Sequence, residues 1–118
     1  ILGLALSNGL VALAGGVAQA LALARAHIGH MVKIELEVDT LAQLDEALQA
    51  GVDVLLLDNM DNDTLREAVR RVAGRAITEA SGRITPETAP AIAETGVDLM
   101  AIGWLTHSAR VLDIGLDS

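Results

Sequence analysis

Between Lys33 and Asp39 the chain reads Lys-Ile-Glu-Leu-Glu-Val-Asp, a strict alternation of charged and aliphatic side chains. In an extended strand, alternate residues leave by opposite faces. Ile34, Leu36 and Val38 are then set to pack beneath helices, while Lys33, Glu35, Glu37 and Asp39 face the other way. An exposed edge strand gives the same pattern. The inward reading gains from later segments, because Asp58 closes a second apolar run, Glu79 and Ser81 a third, and Gly103 a fourth. Carboxylates on a rim of successive strand ends suit a cationic or metal-bound substrate. The turns at Ser81-Gly82 and at Gly103 offer backbone N–H groups to a phosphate, although glycine after a strand is also an ordinary turn residue.

Such a rim requires parallel strands, and the pattern supplies them. From Gly16 onward, helical and strand periodicities alternate with short connections. Gly16 to His27 reads as an Ala-rich helix with Val17, Ala20, Leu21 and Ala24 on one side. Lys33 to Val38 is a strand. Thr40 caps the next helix, with Gln43 placed to complete a capping box; its inner stripe is Leu41, Leu44, Ala47 and Leu48, and Gly51 ends it. Val54 to Leu57 is a continuous apolar strand of the kind covered on both faces. Asp61 or Asp63 caps a helix that buries Leu65, Ala68, Val69 and Val72 and closes at Gly74. Ala76 to Ala80 is a strand. Thr85 and Pro86 predict the start of a helix running to Gly96, with Pro90 removing one hydrogen bond in its second turn. Leu99 to Gly103 is the last clear strand. Val111 to Leu116 adds an edge strand or lies across a barrel mouth.

The units are short for a dinucleotide-binding fold, and no Gly-x-Gly-x-x-Gly follows a strand. The expected class is α/β: parallel β/α units forming a partial, TIM-like half barrel. The 118 residues make one such domain, since a closed eight-unit barrel needs roughly 200 or more. Ile1 to Ala24 carries no charge and is long enough to span a bilayer. Ser7-Asn8-Gly9, Gly15-Gly16 and Gln19 interrupt it, and no basic segment precedes it, so a buried strand plus helix is expected rather than a span or secretory signal.

The net charge of −8 and pI near 4.6 repel phosphate backbones and anionic bilayers, so neither nucleic acid nor membrane is an expected partner. Absence of cysteine excludes a disulfide framework and thiolate metal sites, and suits a cytoplasmic protein. Trp104 is the only residue among Phe, Tyr and Trp. A core without large aromatics loses its biggest burial contributors, a mark of a simplified or engineered protein.

The segments Lys33-Ile34-Glu35-Leu36-Glu37-Val38-Asp39-Thr40, Leu57-Asp58-Asn59-Met60 and Glu79-Ala80-Ser81-Gly82 resemble successive strand-end motifs of quinolinate phosphoribosyltransferase. So does the run from Glu94-Thr95-Gly96-Val97-Asp98 through Gly103 and Leu105-Thr106-His107-Ser108 to Leu112-Asp113-Ile114-Gly115-Leu116-Asp117. Order and spacing agree over residues 15–118, whereas the apolar lead-in of residues 1–14 matches poorly. The resemblance implies conversion of quinolinate and phosphoribosyl pyrophosphate to nicotinate mononucleotide, pyrophosphate and carbon dioxide. It implies magnesium accompanying phosphoribosyl pyrophosphate, with no other bound cofactor or resident metal. Glu37 and Asp58 would hold the ribose and its developing positive charge. Ser81, Gly82, Gly103 and His107 would grip the 5′-phosphate, although His107 alone reads as a helix-cap or surface histidine.

Departures from the family pattern fall on the same groups. Family members are longer, and their additional parts supply cations for the two quinolinate carboxylates. Their Lys-acid-Asn-His motif corresponds here to Leu6-Ser7-Asn8-Gly9-Leu10, without the lysine or the histidine. Their Ser-Gly-Gly is Ser81-Gly82-Arg83, and Trp104 replaces a small residue. Three expectations follow: a truncated or engineered barrel fragment that is catalytically silent, an enzyme completed by another chain, or a small phosphate-binding module. An open sheet with free edges also leads us to expect a homo-oligomer.

Overall fold

The computed structural model describes residues 3–82, 84–101 and 111–113. Its strands are β1 (Gly3–Leu6), β2 (Lys33–Val38), β3 (Val54–Asp58), β4 (Ile77–Ser81), β5 (Leu99–Ala101) and β6 (Val111–Asp113). The helices are α1 (Asn8–Ala14), α2 (Val17–Ile28), α3 (Leu41–Ala50), α4 (Asn62–Val72) and α5 (Ala89–Ala93). All six strands form one sheet in chain order. Pairing is parallel from β1 to β5, and β6 adds antiparallel to β5 as an edge strand. This is the expected partial β/α barrel.

One face of the sheet meets the helices. Ile34, Leu36, Val38, Leu55, Leu57, Ala80 and Met100 project there and join Leu44, Ala47, Leu65, Ala68 and Val72 in one apolar core. β2 alternates as its sequence requires, its three aliphatic residues buried and Lys33, Glu35 and Glu37 more open. The capping box forms: Thr40 Oγ1 accepts from Gln43 N, and Gln43 Oε1 accepts from Thr40 N. Asp61, rather than Asp63, caps α4, accepting from Thr64 N at 2.8 Å.

Two aspartates secure the amino-terminal ends of the strands in the same manner. Asp53, just before β3, accepts from Ile34 N at 3.0 Å, and Asp98, just before β5, accepts from Thr78 N at 2.8 Å. Each follows a Gly-Val pair, Gly51-Val52 and Gly96-Val97, whose valine is buried. Arg25 adds an ion pair to Asp53 and donates to the Val32 carbonyl, tying α2 to this end of the sheet.

Two expectations need correction, and a third is only partly covered by the described residues. The helix expected from Thr85 to Gly96 is shorter. Thr85 does begin a turn, its Oγ1 accepting from Thr88 N, but regular helix covers only Ala89–Ala93. Pro90 lacks the N–H that would bond the Pro86 carbonyl, so the first turn does not propagate. The lead-in folds as strand plus helix, but α1 buries no residue, and Leu10 and Leu13 are exposed. No described element covers its outer side. β5 ends at Ala101 among the described residues, and Gly103 lies outside them.

Candidate functional site

The face of the sheet turned away from the helices carries the polar residues. Parallel register sets Glu37 beside Leu56, and Leu56 beside Glu79. One layer further toward the carboxyl ends, Asp58 pairs with Ser81. Glu37 and Asp58 therefore share one face of adjacent strands, a single layer apart, as the alternation of charged residues predicts.

At that rim the Ser81 hydroxyl donates to Asp58 Oδ1 at 3.1 Å. The loops that follow the two strands are also joined: Asn59 N donates to the Ser81 carbonyl at 3.2 Å, with Asn59 in the left-handed region at φ 53°. Gly82, at φ 91°, lies against Asn59 so closely that a Cβ there would overlap the Asn59 side chain. Glycine serves here for both its conformation and its lack of bulk. Beside it opens a cavity of about 540 Å³, lined by Asn59, Asp61, Ser81, Gly82, Glu87 and Thr88 among others.

Asn8, from the segment lacking the family's lysine and histidine, also reaches the rim. Its Nδ2 donates to Asp39 Oδ2 at 2.8 Å, linking the end of β1 to the end of β2. Deeper on the same face, Glu79 is buried, with the Glu35 carboxyl near it. Burial, with the charge of Glu35 beside it, pushes Glu79 up to about 7. Burial also raises Glu35. Sequence reading placed both acids on this face without pairing them, and it passed over Asn8 and Asn59 as rim residues.

Gly103 and His107, the remaining phosphate-binding candidates, lie outside the described residues, as do Arg83 and Trp104. Among the described residues no three His, Cys, Asp or Glu side chains converge as metal ligands. No single described helix is long and apolar enough to cross a membrane; α1 and α2 pass that test only together, bent by 92°.

Parallel strands in chain order, helices on one face and carboxylates with a glycine turn at the strand ends define a segment of an enzyme-type β/α barrel. The sequence matches the family described as quinolinate phosphoribosyl transferase, C-terminal domain, over residues 4–117. The probable carboxylating nicotinate-nucleotide pyrophosphorylase of Bacillus subtilis is 43% identical over 115 residues, covering 98% of this chain and 40% of the relative. The Mycobacterium leprae carboxylating nicotinate-nucleotide pyrophosphorylase is 46% identical over 110 residues, covering 91% of this chain and 38% of its own length. Among solved structures, the nicotinate-nucleotide pyrophosphorylase from Francisella tularensis superposes with a TM-score of 0.84 at 31% identity, over 94% of this chain and 39% of that one. The chain belongs to the quinolinate phosphoribosyltransferase family and corresponds to its C-terminal domain. It spans about 40% of the length of the curated relatives it matches.

Proposed function

We propose that these residues form the ribose-phosphate half of a quinolinate phosphoribosyltransferase site, and that the 118-residue chain alone does not turn over. One observation carries this reading: the open face presents Glu35, Glu37, Asp58 and Glu79, and its one cation among the described residues is Lys33, at the opposite end of β2 from the rim. Such a face suits positive charge and repels a dicarboxylate.

In the reaction, the bond from ribose C1 to pyrophosphate breaks and the quinolinate nitrogen bonds to C1. The 2-carboxylate then leaves as carbon dioxide, and a proton takes its place on the ring. Glu37 and Asp58 stabilise the cationic ribose while that exchange occurs. Ser81 orients Asp58, and the Ser81-Gly82 turn holds the 5′-phosphate together with Gly103 and His107. Magnesium belongs to the substrate, bound to phosphoribosyl pyrophosphate. The groups that clamp quinolinate come from outside these residues. Without them the nitrogen is not held at C1, and the positioning contribution, worth several kcal/mol, is lost.

The test is pyrophosphate release by the purified chain with quinolinate, magnesium and phosphoribosyl pyrophosphate. No turnover is expected; clear turnover overturns the silent reading. The relatives' greater length favours a second form of the same proposal, in which another polypeptide restores activity. Activity that appears on mixing with the N-terminal part of a relative supports it, and null activity in every such mixture removes it.

We also propose that the chain self-associates. Leu4, Leu10, Leu13 and Leu23 are exposed around the free edge of β1, beside an apolar groove of about 280 Å³. A second copy covers such a surface with least penalty. Light scattering at high concentration should give at least a dimer, and a monomer contradicts this.

A further inference from the structure

Helix α1 begins at Asn8-Gly9, whereas Asn59 is followed by Met60 and Asn62 by Asp63. A glycine after asparagine matters chemically, because its nitrogen can reach the side-chain amide carbon. No Cβ shields that approach, and glycine's backbone freedom admits the conformations that ring closure needs. Hydrogen bonding in α1 starts beyond this nitrogen. Leu10 N donates to the Ser7 hydroxyl and Val11 N to the Ser7 carbonyl, so Gly9 N meets no acceptor among the described residues. Gly9 is exposed, and the nearest atom to a Cβ at this position is Ser7 Oγ, at 3.8 Å. Helical backbone turns the following nitrogen away from the side chain, so attack waits on opening of the first turn. That opening costs little here, because α1 is seven residues long and buries none of them. The Asn8 amide meanwhile holds the ends of β1 and β2 together, its Nδ2 donating to Asp39 Oδ2 at 2.8 Å.

We propose that Asn8-Gly9 is a site of spontaneous deamidation, which turns this tie into a repulsion. Gly9 N gives its proton to solvent base and bonds to Asn8 Cγ. The Cγ–Nδ2 bond breaks, and Nδ2 takes a proton from water and leaves as ammonia. Water then opens the cyclic imide at one of its two carbonyls, breaking the bond to Gly9 N. Opening at Cγ leaves an aspartate at position 8, and opening at the main-chain carbonyl leaves an isoaspartate. One water enters and one ammonia departs, with no oxidant or reductant. The donor that faced Asp39 is now a carboxylate, so two acceptors of like charge meet where a charge-assisted hydrogen bond stood. The dipole of so short a helix offsets little of that repulsion. β1 and α1 then loosen from the carboxyl end of β2. The residues involved lie outside the proposed ribose-phosphate site, and the inference does not depend on the proposed activity.

The experiment is incubation of the full chain in warm, mildly alkaline buffer, followed by tryptic digestion. The peptide ending at Arg25 holds Asn8 as its only asparagine. Its conversion to the acid form, with isoaspartate placed at position 8 by fragmentation, is expected, and Gly9→Ala should convert many times more slowly. Equal rates in the two proteins overturn the site, as does an intact Asn8 in a chain whose Asn59 or Asn62 has converted. Urea unfolding at neutral pH reads the consequence separately. Asn8→Asp should lower the midpoint, and adding Asp39→Asn should restore it, because the amide then donates from the other side. A midpoint unchanged by Asn8→Asp overturns the repulsion. Should that variant not fold, aged and fresh samples of the unmodified chain supply the same comparison: a lower midpoint in the aged sample supports the proposal, and coincident curves refute it.

Discussion

Ser81 donates its hydroxyl hydrogen to the Asp58 carboxylate at 3.1 Å, joining the last residues of two neighbouring parallel strands. The bond lies at the carboxyl edge of the sheet, where loops rather than regular pairing usually set geometry. It fixes the direction of Asp58, one of the two acids that the proposed reaction places against the ribose.

Replacing Ser81 with alanine should cost little stability, about 0.5–1.5 kcal/mol, because Asp58 is half open to water and can rehydrate. Binding of ribose 5-phosphate should fall much further. Calorimetry of the two proteins separates these effects: equal heats for both remove Ser81 from the site.

Gly82→Ala and Gly74→Ala form a controlled comparison. Both glycines have positive φ, 91° and 79°, but only Gly82 has a neighbour, Asn59, in the path of a Cβ. Gly74→Ala should lose about 1–2 kcal/mol through backbone strain alone. Gly82→Ala should lose more and should shift the Asn59 amide resonance. Equal losses in urea unfolding contradict the close packing.

At the opposite end of the sheet, Asp98→Ala strips both Thr78 N and Thr78 Oγ1 of their acceptor. Thr78 is buried, so the unpaired donors should cost about 2–3 kcal/mol in urea unfolding. A loss within error of zero shows that the strand end rearranges freely.

Asp53 makes the related contact, and it gives stability a pH signature on the acid side. Burial works against its ionisation, but the Ile34 amide and the Arg25 guanidinium outweigh burial and leave its pKa below 3.8. Its stabilisation is present above that value and disappears as pH falls through the folded-state pKa. Asp53→Asn should therefore flatten the loss of stability below pH 3.8. Acid titrations followed by circular dichroism that coincide for both proteins oppose this role.

Much of this arrangement is written locally in the sequence. The alternation of Lys33 to Val38 fixed which acids leave the core. Thr40 with Gln43 marked a helix start to the residue, since a capping box needs only positions three apart. Helix α5 was less legible because Thr85-Pro86 and Pro90 give opposing local signals, and the strength of the later one emerges only in three dimensions. The Glu35–Glu79 pair was illegible for a different reason. Its partners are on strands separated by a third, so their meeting depends on register and sheet curvature. Asn59 stood in the Leu57-Asp58-Asn59-Met60 motif without a role, because its left-handed turn is defined by its contact with Gly82.

The central claim is that Asp58, Ser81 and the Gly82 turn form one ribose-phosphate site. Amide chemical shifts of the labelled chain during titration with ribose 5-phosphate test it most directly. The account predicts saturable changes concentrated at Asp58, Asn59, Ser81 and Gly82. A spectrum unmoved at millimolar ligand, or changes centred elsewhere on the chain, would contradict it.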